Sequence, residues 1–560
     1  MTKHDRYDRH DALSPPAIQS RPVAQIQPPV QGRGRGQVHQ GGVQRSNPLS
    51  QPHARPLVDS SVARFAGTFM GTLGLWTAGI SLATLAGCAN YAGIHSDKQV
   101  SQIGTLQAAQ SLPAQGGAWP TMDWPARFGD PQLTALINEA LADSPSIAQA
   151  QARINSAMAY TANANAGLFP HVGANYSLKR ELYSGNALYP PPYGGSWYTE
   201  NNGGVSASYE LDLWGKNSAG LAQAISQERA SIAQAEEARV TLAAQVAQAY
   251  SALARQYALL NVARAELQQR EDIGRISASR FSAGLDTQVE TRTSEADVAT
   301  SRTQITQLEG GIVVTRYQLG ALLGKGPDRG LAIAIPQIAD GAGGAGASDN
   351  LLPNDLPANL LSRRPDIVAA RWQVDAALGG IKVGKAAFYP NINLSAAFGF
   401  DAFGFKNFLK FGSREIQAGP AIDLPIFDAG ALRAMLKTRY AAFDSAVATY
   451  NDTLIQALNQ VATQVAQIHS TQDQQRDTQA AYSAAQKAYQ LAVIRYKGGL
   501  STQLQVLDAD RSLLAQREAV VSLEAQRRDQ QIALIKAMGG GFTANDQQKI
   551  SHTGAIKGSE

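Results

Sequence analysis

Cysteine is all but missing from this chain of 560 residues: Cys88 stands alone, which excludes an intramolecular disulfide and any metal site built from several thiolates. Histidine is scarce and falls mostly in the first 60 residues and the tail, with no HExxH or comparable ligand spacing. The formal net charge is only +4, and basic residues cluster nowhere beyond the N-terminal region, so no nucleic-acid partner is expected. No nucleophile, base or metal constellation stands out, and an enzyme is the least supported class. Neither a cofactor nor a metal is expected.

Proline is absent from Lys216 to Arg280 and again from Ala431 to Tyr496. Each stretch is long enough for a helix of roughly 95 Å at 1.5 Å per residue. Both are rich in Ala and Gln and poor in large apolar residues, which suits close coiled-coil packing rather than an ordinary core. A plain rod without a channel is the simpler alternative at this point.

What is present is a repeated stretch. Arg280 to Gln288 reads RFSAGLDTQ and returns 215 positions later as Arg495 to Gln503, RYKGGLSTQ. Gly284 and Gly499 are the helix breakers, able to take the positive φ that ends a helix. Thr287 and Thr502 can cap the helix that follows. The expectation is two helical hairpins with matching tips.

The likeness extends outward. Ser144-Pro145-Ser146-Ile147 matches Arg364-Pro365-Asp366-Ile367, Phe169-Pro170 matches Tyr389-Pro390, and the paired prolines are equally spaced in both halves. Leu211-Asp212-Leu213-Trp214 lines up with Leu424-Pro425-Ile426-Phe427, and Leu322-Leu323-Gly324 with Ala537-Met538-Gly539. An internal two-fold sequence repeat follows. The first copy spans 131–340 and the second 351–540, joined by a glycine-rich linker over 341–350 that lacks the lysine of a phosphate-binding loop.

Within each half the period changes. Val172, Ala174, Tyr176 and Leu178 alternate with polar or small residues, as do Val205 to Leu213, Ile392 to Phe400 and Ile416 to Leu424. These are four strands of about ten residues with one apolar face, long enough to cross a bilayer when tilted. Tyr183, Tyr189, Tyr193, Trp197 and Tyr198 fall in one expected inter-strand loop, and Phe403, Phe405, Phe408 and Phe411 in the other. Aromatic residues at strand ends suit a membrane interface, although a soluble sandwich shows the same alternation. Four strands cannot close a barrel, and an open edge in lipid leaves backbone groups unsatisfied. Spanning strands therefore require several copies.

The ends are of another kind. Residues 1–60 are rich in Pro, Gln, Gly, His and Arg and cannot bury enough apolar surface to fold. In 61–87 a basic Arg64 precedes an apolar run that ends in Leu85-Ala86-Gly87-Cys88, the order of a secretory signal; a signal anchor with a chance cysteine is the alternative. The true start is expected nearer to this signal, at Val58 or Val62. The Leu-Ala-Gly-Cys ending resembles a bacterial lipobox, in which Cys88 carries the covalent lipid. Ala89 after it points, by resemblance to sorted lipoproteins, to the outer membrane of a Gram-negative cell. Residues 88–130 then form a lipid-anchored N-terminal segment, and 541–560 a polar, disordered tail.

Together, the lipobox, Arg363-Arg364-Pro365-Asp366-Ile367, Phe388-Tyr389-Pro390, Leu211-Asp212-Leu213-Trp214-Gly215 and the twin tips resemble the TolC-like outer-membrane efflux factors, in the lipoprotein branch of OprM and NodT. The resemblance covers about residues 88–540. It implies a mainly α fold with a transmembrane β-barrel contribution, in which a homotrimer pools four strands per chain into one twelve-stranded barrel above a long α-helical coiled-coil barrel. It implies docking through the tips onto a periplasmic adaptor and an inner-membrane pump of the resistance-nodulation-division type, and passive conduction of expelled small molecules.

By the same resemblance, Arg280, Gly284, Leu285, Thr287, Arg495, Gly499, Leu500 and Thr502 match adaptor-docking positions. Glu290, Tyr496 and Asp508 match the periplasmic gate, while Gln505 stands where some relatives carry a second aspartate. Three copies of an acidic side chain around an axis would form a ring that attracts cations. Blander readings exist: Asp508 as an exposed carboxylate paired with Arg511, and Arg280 and Arg495 as charges complementing helix C-termini. Two other functions fit the pattern less well, the exit duct of a type I secretion system and a lipid-anchored periplasmic coiled-coil scaffold.

Overall fold

A computed structural model describes residues 91–101, 108, 110–112, 116–186, 190–338, 352–353 and 356–544. Residues 1–60, the signal stretch, Cys88, Tyr189, the glycine-rich linker and the tail past residue 544 lie outside the described residues.

Two short helices open the first half, α1 (Pro131–Asp143) and α2 (Pro145–Ala166). Two strands follow, β1 (His171–Leu182) and β2 (Trp197–Glu210), and then the long α3 (Lys216–Ser282), its hairpin partner α4 (Gln288–Leu322) and the short α5 (Pro327–Leu331). The second half runs α6 (Leu356–Arg363), α7 (Pro365–Ala386), β3 (Asn391–Phe403), α8 (Phe405–Phe408), β4 (Arg414–Asp423), α9 (Ala431–Lys497) and α10 (Gln503–Ala537). α3 and α9 are each 67 residues long, and α4 and α10 each 35. The long helices fall where proline is absent and rise roughly 100 Å.

Proline begins α2 and α7, where its missing N–H would be unpaired in any case. Those helix starts meet the ends of the hairpins. At Gly324 φ is 70° and a Cβ would lie 2.5 Å from the Asp143 carbonyl; at Gly539 φ is 94° and a Cβ would lie 1.8 Å from the Arg363 carbonyl. No other residue fits either place, which gives the matched glycines a physical reason. Beside the second junction, buried Arg364 grips Asp366 with two nitrogens and donates through Nη1 to the Ala537 carbonyl at 2.9 Å and to Gln460 at 3.0 Å.

Large apolar side chains concentrate at these junctions. One core gathers Leu133, Leu136, Val246, Tyr250, Leu319 and Leu323; a second gathers Leu360, Ile367, Tyr450, Leu454, Val461 and Leu534. Within the first, Tyr250 donates to Asp130 at 2.6 Å, and Asp130 also caps α1. Below these cores Ser294, Ser301 and Thr471 are buried between the long helices along with Leu513 and Leu523, and a last apolar cluster of Ile273, Tyr496 and Val506 lies near the tips.

The strands form one antiparallel sheet in the order β1-β2-β3-β4. The register sets like against like: Ala174, Val205, Phe398 and Ile416 make one row across all four strands, and Val172, Ala207, Ala396 and Ala418 another. The apolar face so formed is open, with Val172, Val205, Phe398 and Ile416 all exposed. β1 and β4 are the free edges.

Strand limits differ from those expected. Trp197 and Tyr198 pair with Leu182 and Glu181 and so begin β2 rather than fill a loop, and Phe403 ends β3 opposite Glu200. Leu211, Leu213 and Leu424 lie past the strands. There Asp212 turns the chain, accepting from the N–H groups of Asn217 and Ser218 at the start of α3. Among the described residues no helix is long and apolar enough to cross a membrane.

Candidate functional site: the helical tips

Both hairpins end in the same cap. Gly284 and Gly499 each have φ of 73°, and the next residue reaches back five positions to the helix: Leu285 N–H to the Arg280 carbonyl at 2.9 Å, Leu500 N–H to the Arg495 carbonyl at 2.8 Å. Leu285 and Leu500 project outward, 65% and 79% exposed. Phe281, Val289, Ile494 and Leu504 are exposed around them, an apolar surface on an otherwise polar hairpin end.

The second turn of each tip differs. Thr287 accepts from the Val289 N–H at 3.2 Å while Glu290 accepts from the Thr287 N–H at 2.9 Å, a reciprocal capping box. The Thr287 hydrogen bond holds the Glu290 carboxyl below its ordinary range. Thr502 is extended but makes no side-chain cap. Its neighbour Gln503 is buried instead and crosses to α4, donating to the Glu290 carbonyl at 3.1 Å and to Ser294 Oγ at 2.6 Å.

Between the tips lies a three-residue lock. Arg280 forks onto Asp286, Nε to Oδ2 and Nη2 to Oδ1 at 3.0 Å each. Its Nη1 donates to the Tyr496 carbonyl at 3.1 Å, and the guanidinium stands 4.8 Å from the centre of the Tyr496 ring. Tyr496 has no exposed surface and gives its hydroxyl to Asp286 Oδ2 at 2.5 Å. The Arg280 hydrogen bonds depress the Asp286 carboxyl. Burial, aided by Asp286, pushes the Tyr496 hydroxyl up to about 12. The phenol therefore stays a donor at any physiological pH.

Of the residues singled out in sequence, Arg280 and Tyr496 meet directly, and Thr287 and Glu290 meet each other. Arg495, on the far side of its helix end, is exposed. Asp508 is exposed too, 3.7 Å from Arg511 one turn on. Asp286, the centre of the lock, stands between the leucine and threonine that the twin motifs share, at one of the positions where the two copies differ. An acidic residue six places after Arg280, where the second copy has Ser501, was the available signal.

The sequence model of the outer membrane efflux protein family matches residues 136–325 and again 356–540. The chain is 37% identical over 374 residues to the fusaric acid resistance protein FusA of Burkholderia cepacia, spanning 65% of this chain and 69% of that one. It is 29% identical over 479 residues to the multidrug resistance outer membrane protein MdtP of Escherichia coli, spanning 83% and 95%. Its fold superposes on the outer membrane protein VceC of Vibrio cholerae with a TM-score of 0.70 at 34% identity, covering 76% of this chain and all of that one. The chain belongs to the outer membrane efflux protein family.

Proposed function

We propose that this chain is the outer-membrane exit duct of a tripartite efflux pump, a passive conduit without chemistry of its own. The observation that carries this is the pairing of an open, apolar-faced four-stranded sheet with hairpins roughly 100 Å long, in a chain that matches the efflux family in both halves. A sheet with two free edges cannot rest in lipid alone. Three copies pairing β4 to β1 make a closed ring of twelve strands, and the helices below them continue it as a tube through the periplasm. The equal lengths of α3 and α9 and of α4 and α10 support a duplicated unit over 131–340 and 351–540.

In this reading Cys88 carries the lipid that holds 88–130 to the outer membrane, after removal of 61–87. The exposed apolar tip around Leu285 and Leu500 receives the periplasmic adaptor, with Arg280, Arg495, Gly284, Gly499, Thr287 and Thr502 shaping it. The adaptor links the duct to an inner-membrane pump of the resistance-nodulation-division type. Tyr496 helps hold the tips closed, and Asp508 supplies a ring of negative charge. Glu290, committed to its capping box, shapes the gate rather than lining it. The names of FusA and MdtP support small toxic molecules as cargo.

Three measurements test the reading. The purified full chain should migrate as a heat-modifiable trimer and give discrete current steps in planar bilayers, and crosslinking in cells should retrieve an adaptor and a proton-driven pump. A monomer without current would overturn the duct.

A further inference from the structure

Above the tips, three helices enclose a charge that is not balanced. Glu266 of α3 and Asp510 of α10 are 1% and 4% exposed. A single guanidinium lies between them, with Arg270 Nε 2.6 Å from Glu266 Oε1 and 3.5 Å from Asp510 Oδ2. Arg270 Nη1 is already engaged by α4, through the Asp297 carbonyl at 3.2 Å and Ser301 Oγ at 3.0 Å.

Oε2 of Glu266, Oδ1 of Asp510 and Oδ2 of Asp297 are buried acceptors with no hydrogen bond, and Oε1 of Glu266 has only the ion pair with Arg270. One arginine cannot neutralise two carboxylates, and a buried carboxylate without a donor is strongly disfavoured. The missing donor has to be small. The cavity beside Arg270, Asp297 and Asp510 measures about 10 Å³, too little for a hydrated cation.

The other ionisable groups nearby do not supply it. Tyr489 of α9 faces the pair but its hydrogen bond goes to Gln269, and Arg517 of α10 is held by a short hydrogen bond to the same Gln269.

We propose that Glu266 retains a proton that it donates to Asp510, and that this shared hydrogen clasps α3 to α10 above the tips. When the proton passes to hydroxide or buffer in the surrounding water, only the O–H bond breaks. Two buried carboxylates then face each other across one guanidinium, and α10 is driven from α3. Burial first and Asp510 second raise the Glu266 carboxyl to about 8, so the clasp holds at neutral pH and is lost as pH rises through that value. α10 also carries Asp508, and Glu266 lies about 21 Å along α3 from Arg280. Release at this level loosens the hairpin that ends in the lock, so alkaline surroundings favour a wider tube. Only that last consequence rests on the duct reading.

The test uses the full chain with Cys88→Ser and spin labels at Ala265→Cys and Ser512→Cys, exposed positions on α3 and α10. The label distance should lengthen in a one-proton transition centred near pH 8. Glu266→Gln keeps a donor to Asp510 without titrating and should stay short from about pH 6 to about pH 10. A distance that is flat across this range in the unsubstituted background, or a Gln variant that moves with it, would overturn the clasp. Infrared spectra of the natural chain should show a protonated-carboxyl band that vanishes through the same transition; absence of the band at neutral pH is equally fatal. Currents of the natural chain recorded over the same pH range should rise through that transition. A distance transition beside a natural chain that never conducts would instead overturn the duct and leave the clasp standing.

Discussion

Tyr496 donates its hydroxyl to Asp286 Oδ2 at 2.5 Å, tying the end of α9 to the turn between α3 and α4 across 210 positions of sequence. Because Arg280 grips the same carboxylate with two nitrogens, this one aspartate fixes both tips of the chain. A hydrogen bond to a charged partner is worth about 1.5–3 kcal/mol. Tyr496→Phe should therefore destabilise the hairpin ends by about that amount and raise single-channel conductance. A double-mutant cycle with Asp286→Asn should show strong coupling, and purely additive effects would dissolve the lock.

The lock also has a pH window. The folded Asp286 carboxyl is depressed, so its contribution is complete above its unfolded value near 3.8 and is lost as pH falls through the folded one. Tyr496 is raised from 10.0 to about 12, so its contribution is complete below the lower of these values and is lost as pH rises through the higher. Between about pH 4 and about pH 10 the lock should be indifferent to pH. Thermal melts of the natural chain and of Asp286→Asn should run parallel across that range and converge below it, where Asp286 is protonated.

Backbone geometry makes a sharper contrast. Gly284→Ala and Gly499→Ala force a side chain into φ of 73° and should each cost about 1–2 kcal/mol. Gly310→Ala, in the interior of α4 with open space at its Cβ, should stabilise by up to about 1 kcal/mol. Equilibrium unfolding of the three variants checks both signs.

Asp508→Ala should leave the melting temperature unchanged, since an exposed pair with Arg511 is worth only a few tenths of a kcal/mol. Conductance should rise or cation preference fall. Unchanged single-channel behaviour would retire Asp508 from the gate.

Cys88→Ser should abolish palmitate labelling in cells and shift the precursor to a form still bearing its signal. The fold, probed by circular dichroism, should not change.

Much of this architecture was legible because it rests on periodicity and on residues with few conformational options. Proline-free alanine-rich runs marked α3 and α9 to within two residues, glycine marked the caps, and alternation marked the strands. The strand ends were harder to place, since Trp197 and Tyr198 join the ladder only through the far arm of their own hairpin and Phe403 only through Glu200, distant in sequence. The tips were readable as turns, but their difference was not. Thr287 and Thr502 look equivalent, yet only Thr287 caps, while beside Thr502 the side chain of Gln503 turns inward to Ser294. Glu266 and Asp510 were invisible because an acid on a polar helix looks solvated until the helix that buries it is known.

The free edges of β1 and β4 reach into genetics. In the proposed ring of three, a chain that folds but cannot offer one edge spoils every ring it enters. Equal expression of intact and edge-defective copies would leave roughly one ring in eight whole, so such alleles should act dominantly even though each chain is encoded and folded on its own.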